Sequence, residues 1–164
     1  MASSERIDPP TLRRGMFSEV RTALESLFGG GKLDPKQELH VQVLFGLLGA
    51  VARSDWLVSS EEAKYTNLLM DQLALSTAAR KLATEAFSRG CKRELDPETE
   101  IQMFVQTFPR GSVEADRMYE HLLHLAAADS RIRPGERTLL EKITVELGYE
   151  KSHLETRLKQ ILPS

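Results

Sequence analysis

Cysteine is almost absent from this sequence. Cys91 stands alone among 164 residues, so no internal disulfide can form and the thiol reads as reduced, in keeping with a cytoplasmic protein. Nothing adjacent in sequence supplies a base that would activate it for catalysis. A dominant charge is lacking as well: 22 basic and 24 acidic residues leave a formal net charge of -2, with no global field to draw the chain to nucleic acid or an anionic membrane. The longest apolar run, VLFGLLGAVA from Val43 to Ala52, is half the roughly 20 residues that span a bilayer, and predicts a buried core helix with no membrane span. The N-terminal MASSERIDPPTLRRG has no apolar signal region. Its Pro, Ser and charge content predicts a mobile tail over 1–15, ahead of one helical domain over 16–164. The glycine run GGGK at Gly29 to Lys32 lacks the spacing and the Ser/Thr of a phosphate-binding loop and reads as a helix stop.

Strand alternation hardly occurs, whereas helical periodicity is present almost everywhere. The prediction is an all-α, compact, single-domain bundle of about seven to eight helices. A chain of this length can bury roughly 70% of the surface exposed when unfolded. Phe17, Val20, Leu24, Leu27 and Phe28 form the first apolar stripe, and Asp34-Pro35 opens a second helix with face Leu39, Val43, Leu47, Leu48 and Val51. Gly46 and Gly49 cost up to about 1 kcal/mol each in that helix, so another helix is expected to cross closely there. Ser59-x-x-Glu62 and Ser152-x-x-Glu155 read as capping boxes. Ser76, Asp96-Pro97, Ser112 and Pro134 mark further starts; Gly90, Pro109 and Gly148 mark stops.

Superposed on itself with a shift of 74 positions, SDWLVSSEEAKYTNLLMDQLAL meets ADSRIRPGERTLLEKITVELGY: Asp55 falls on Asp129, Val58 on Ile132 and Glu62 on Glu136. Each aspartate follows one helix, each Val or Ile anchors a turn, and each glutamate enters the first turn of the next helix. The unit is a helical hairpin used twice. Two readings of the acids follow. In one, the aspartates accept backbone N–H groups of the turn and the glutamates occupy N3, where carboxylates stabilise helices. In the other, Asp55, Glu62, Asp129 and Glu136 supply oxygen ligands to a divalent cation: calcium, magnesium, manganese or zinc. Calcium takes six to eight oxygens, so water, carbonyls or the other hairpin would have to contribute, and the D-x-[DN]-x-[DN]-G pattern of an EF-hand loop is missing.

The doubled hairpin, above all AAADSRIRPGERTLLEKITVELGY, resembles the TerB family of tellurite-resistance proteins. From about Val41 through Ile161, with LLMDQLAL and AFSRGCKRELD, it is closer still to the TerB-like N-terminal region of the DjlA co-chaperones. The resemblance implies about seven helices in pseudo-symmetric halves, a link to tellurite or envelope stress, and in some members a divalent metal held by acidic residues. Where the family pattern has glycine after each aspartate, this chain carries Trp56 and Ser130, which enter left-handed conformations less readily and predict weak metal binding. The His-Pro-Asp tripeptide of a J domain is absent, so this stretch by itself is not expected to activate an Hsp70.

His121 and His124 stand three apart on one helix, near enough in angle to share a metal, although zinc would want further ligands and His121 borders the apolar stripe of Met118, Leu122 and Leu125. Neither His40 nor His153 shows a recognisable spacing. Trp56 and Tyr65 bracket the first hairpin, with Trp56 either a partner anchor or a lid on the core. Arg131, Arg133 and Arg137 crowd the second motif and partly neutralise its acids. The reading that results is a non-catalytic interaction and stress-response module whose working surface is the end carrying both hairpin turns. Trp56, Arg131 and Arg133 are its candidate partner-binding residues, the partner a protein. The alternatives are an accessory co-chaperone domain acting with a separate J protein, or a metal-dependent sensor or enzyme.

Overall fold

The computed structural model describes residues 35–54 and 58–162. The stripe from Phe17 to Phe28, the tail over 1–15, the Asp34 cap, Asp55 and Trp56 lie outside the described residues. Among the described residues every regular element is helical: α1 Pro35–Ala52, α2 Ser60–Gln72, α3 Thr77–Cys91, α4 Pro97–Thr107, α5 Val113–Ala126, α6 Pro134–Glu146 and α7 Ser152–Ile161. The all-α bundle expected from periodicity is present.

The caps explain where most of these helices begin. Ser59, Ser76, Asp96 and Ser112 each accept a hydrogen bond from the backbone N–H three residues on, at 3.1, 3.1, 3.1 and 3.2 Å, as their spacing predicts. The box expected at Ser152 does not form. Lys151 occupies the cap position of α7 in helical backbone (φ -57, ψ -36) with no side-chain cap bond, and Glu155 pairs with Arg137 of α6 instead. Gly90 is no stop either, since α3 continues to Cys91.

Helix α1 is the hub. Twelve of its 18 residues are buried, so it has no solvent face of the usual kind, and Val43, Phe45, Leu47, Leu48 and Val51 are fully enclosed. Its most extensive partner is α3, and α4 and α5 cover other sides. The crossing with α3 depends on glycine: a Cβ on Gly49 would sit 2.2 Å from the Phe87 carbonyl oxygen, and one on Gly90 would sit 2.1 Å from that of Gly46. The close approach expected from Gly46 and Gly49 is therefore met by Gly90 of α3. Leu122, Leu123 and Leu125 of α5, Leu140 and Ile143 of α6, and Leu154 and Leu158 of α7 complete the core.

The 74-residue repeat relates α1–α2–α3 to α5–α6–α7, with α4 as connector. It extends past the motif to the ends of the second helices. Ala74 (φ 52) and Gly148 (φ 90) both turn left-handed, and the next residue's N–H returns to the helix, Leu75 to Met70 O at 3.4 Å and Tyr149 to Thr144 O at 3.1 Å. The second helices of the two hairpins thus stop alike.

Candidate functional site

In the first hairpin the capping box is complete. Glu62 N–H donates to Ser59 Oγ at 3.1 Å and Ser59 N–H donates to Glu62 Oε1 at 2.9 Å, which places Glu62 at N3 of α2. The side chain is wholly enclosed (0% exposed), and Oε2 has no hydrogen-bond partner. Burial pushes the Glu62 carboxyl above the usual carboxylate range. The bonds from Ser59 oppose that shift, the charge of Asp129 adds to it and that of Arg133 counters it. Two residues of the second turn thus lie close enough to act on the acid of the first.

The second hairpin builds its turn differently. Ser130 adopts a left-handed conformation (φ 72), the one for which the sequence offers a serine where the family pattern has glycine, so the turn takes that shape despite the missing glycine. Asp129 Oδ1 accepts from Arg131 N–H at 3.4 Å, a long bond, and Asp129 Oδ2 lies 3.6 Å from the Arg133 guanidinium. Arg133 is the cap residue of α6, with extended backbone and no side-chain cap bond, and Pro134 follows at N1. Glu136, third after the cap, is buried at 1% exposure. Val58 and Ile132 both pack against the core as partly buried anchors.

Between the turns runs a polar cleft of about 470 Å³, lined by Ser59 and Glu61 from the first hairpin and by Ala128, Asp129, Ser130, Arg131 and Arg133 from the second. It presents both signs of charge. Such a surface can hold a polar or charged segment of a partner.

A cation meets a poorer fit. Asp55 lies outside the described residues; the charge of Asp129 acts on Glu62, but Glu62 Oε1 is used by the box and Asp129 is bonded to the Arg131 N–H and flanked by Arg133. Among the described residues, no three His, Cys, Asp or Glu side chains are grouped so as to hold an ion. His121 and His124 do not form such a site: His121 is buried at 1% exposure with Nδ1 3.1 Å from the Tyr65 hydroxyl. Tyr65 accordingly faces the core. Cys91 is half-buried, and burial pushes its thiol up, with Arg53 lowering and Glu62 raising it further, so it is no ready nucleophile at neutral pH. The proximity of Glu62 to the second turn, across 67 residues of sequence, left no local signal; the repeat pattern alone hinted that the turns share an end.

No helix among the described residues is long and apolar enough to cross a membrane. The sequence model of the family described as tellurite resistance protein TerB matches residues 42–158. Curated relatives include the co-chaperone protein DjlA of Shewanella oneidensis, 29% identical over 131 residues that make up 79% of this chain and 50% of the relative. The DjlA proteins of Vibrio vulnificus strain CMCP6 and Haemophilus influenzae are 30% and 31% identical over 125 and 128 residues, in each case 76% of this chain and 43% of the relative. The chain thus spans half the length, or less, of these curated relatives. No solved structure matches. With the family match covering most of the chain, and a helical bundle whose two hairpins repeat one motif, this chain belongs to the TerB family.

Proposed function

We propose that this chain is a non-catalytic interaction module of the TerB type that engages a protein partner through the cleft between its hairpin turns. The observation that carries the reading is the convergence of Ser59 and Glu61 with Asp129, Ser130, Arg131 and Arg133 on one cleft. A surface of mixed charge suits a charged segment of another protein, where complementary potentials set specificity and encounter rate. That the curated relatives are named co-chaperones supports a role beside a chaperone system.

Site-specific photo-crosslinking in the source cell tests this. A crosslinker at Arg131 or Glu61 should capture a discrete protein, and Asp129→Lys, which reverses a cleft charge, should abolish the capture. A crosslinker at Lys159, an exposed position of α7, should capture nothing. Equal capture from both positions, insensitive to Asp129→Lys, would overturn the assignment of the cleft.

A divalent cation is a second reading, favoured by one observation: Glu62 Oε2 is buried without a partner beside Asp129. Bound at 100 times its Kd, an ion would add about 2.7 kcal/mol of stability, several degrees in Tm. Calorimetric titration with calcium, magnesium, manganese and zinc measures it. A saturable heat lost in Glu62→Gln supports the cation; the absence of both heat and Tm shift leaves the capping role of Glu62 alone.

A further inference from the structure

The charged side chains that line the cleft between the hairpin turns are not equivalent. Asp129 and Arg133 are paired: Asp129 Oδ2 lies 3.6 Å from the Arg133 guanidinium, and the two side chains are only 12% and 23% exposed. Asp129 Oδ1 also accepts from the Arg131 N–H. Glu61, in the first turn of α2, and Arg131, in the loop before α6, are both exposed. Among the described residues neither takes part in a salt bridge. The Glu61 carboxylate accepts from the neighbouring hydroxyl, Ser60 Oγ at 3.1 Å, which leaves its charge uncompensated, and Arg131 joins its turn through the backbone N–H. One open anion thus stands on the first hairpin and one open cation on the second, with a paired acid and base between the same walls.

A partner of one sign fits such a cleft badly. An acidic tract drawn to Arg131 brings its other carboxylates against Glu61, and a basic tract drawn to Glu61 brings its other cations against Arg131. Like charges set side by side weaken an interface and select against that partner. The phosphates of a nucleic acid meet the same obstacle as an acidic tract. A segment carrying residues of both signs meets both walls favourably. Because the two open charges stand on different hairpins, the order of charges along that segment also fixes which way it lies.

We propose, on the reading that this cleft engages a protein, that the contact segment of the partner is a polypeptide stretch of mixed charge, with a carboxylate for Arg131 and a basic side chain for Glu61. Both contacts lie at the surface, where an ion pair contributes modestly and is screened by salt. They govern which segment is accepted and how fast it is captured more than how tightly it is held.

The direction of change in two charge reversals tests this. A photo-crosslinker at Ser130, which lines the cleft, leaves both open charges in place. Capture in the source cell is compared for the otherwise wild-type chain, Glu61→Lys, Arg131→Glu, and the neutral Glu61→Gln and Arg131→Gln, with circular dichroism and urea unfolding to establish that each variant is folded. Both reversals should lower capture of the same partner about tenfold and both neutral variants about threefold, since reversal replaces an attraction by a repulsion where neutralisation only removes it. Mass spectrometry of the crosslinked peptide should find acidic and basic residues close to the crosslink. An increase in capture with Glu61→Lys would identify an acidic segment, and an increase with Arg131→Glu a basic one. Either overturns the proposal, as does a crosslinked segment of one sign or a crosslink to nucleic acid. Capture that neither reversal changes leaves the cleft as a binding surface and removes the mixed-charge segment, whereas no capture from Ser130 in the otherwise wild-type chain removes both.

Discussion

The two halves of the repeat join their first and third helices by different means, α1 and α3 over an extensive contact and α5 and α7 over a slight one. In the first, α1 meets α3 backbone to backbone, with no room for a Cβ on Gly49 or Gly90. Shifted by 74 positions, Gly46 becomes Glu120 and the fully buried Ala83 becomes Arg157. In the second half α5 and α7 are bridged by two bonds between those side chains, Arg157 Nε donating to Glu120 Oε2 at 2.8 Å and the Nη2 group donating to Oε1. The bond to Glu120 is also the main reason the Arg157 guanidinium is held above its ordinary pKa. One topology thus tolerates either contact. The glycine crossing gains dispersion and burial at its closest point, whereas the ionic one stands a quarter exposed on both sides and remains partly solvated.

The largest effect expected from breaking this comparison is at the glycine crossing. Gly90→Ala should cost about 3 kcal/mol in urea unfolding, because the new methyl meets backbone atoms that cannot rotate away, outweighing the helix propensity gained. Glu120→Ala, at the corresponding crossing, should cost about 1 kcal/mol. Equal costs would mean that the two crossings are not built as differently as their contacts imply.

The hairpins offer a second contrast of smaller size. Ser59 caps α2 with its side chain, whereas Arg133 gives α6 none. Ser59→Ala should therefore lower stability by about 1 kcal/mol, and Arg133→Ala by less than half as much, read as midpoint shifts at constant m. A larger loss at Arg133 would show that its pairing with Asp129 outweighs the missing cap. The smallest effect concerns the matched helix ends. Ala74 and Gly148 share a left-handed backbone, but only one is glycine. Ala74→Gly should stabilise by about 0.5 kcal/mol, the relief of the left-handed strain exceeding the added unfolded-state entropy. A loss on Ala74→Gly would place that strain elsewhere.

Much of the scaffold was legible in the residues. The serines at 59, 76 and 112 and Asp96 announce caps, because a short oxygen three residues ahead of an orphan N–H has few other uses. Gly46 and Gly49 announced a close neighbour, because nothing else justifies their cost in a helix. The failures have physical causes as well. Ser152 has the right spacing for a box, but Lys151 is already helical and Arg137, distant in sequence, takes the carboxylate of Glu155. Gly90 resembles a stop and serves as a contact, since glycine answers both needs and sequence does not say which. Ser130 enters a conformation that its side chain disfavours, since the surrounding turn over-determines it.

By itself, then, the sequence determined which segments coil, where most of them start, and that one hairpin is written twice, because periodicity, caps and repeats are properties of residues near one another in the chain. Only the tertiary structure decided that Glu62 is enclosed where the charges of Asp129 and Arg133 act on it, and that His40 and His121 are enclosed, where the spacing of His121 and His124 also allowed a metal pair. Solvation is the reason. The charge state of an ionisable side chain depends on how much water and which charges surround it, and those neighbours arrive from helices that the chain brings together only on folding.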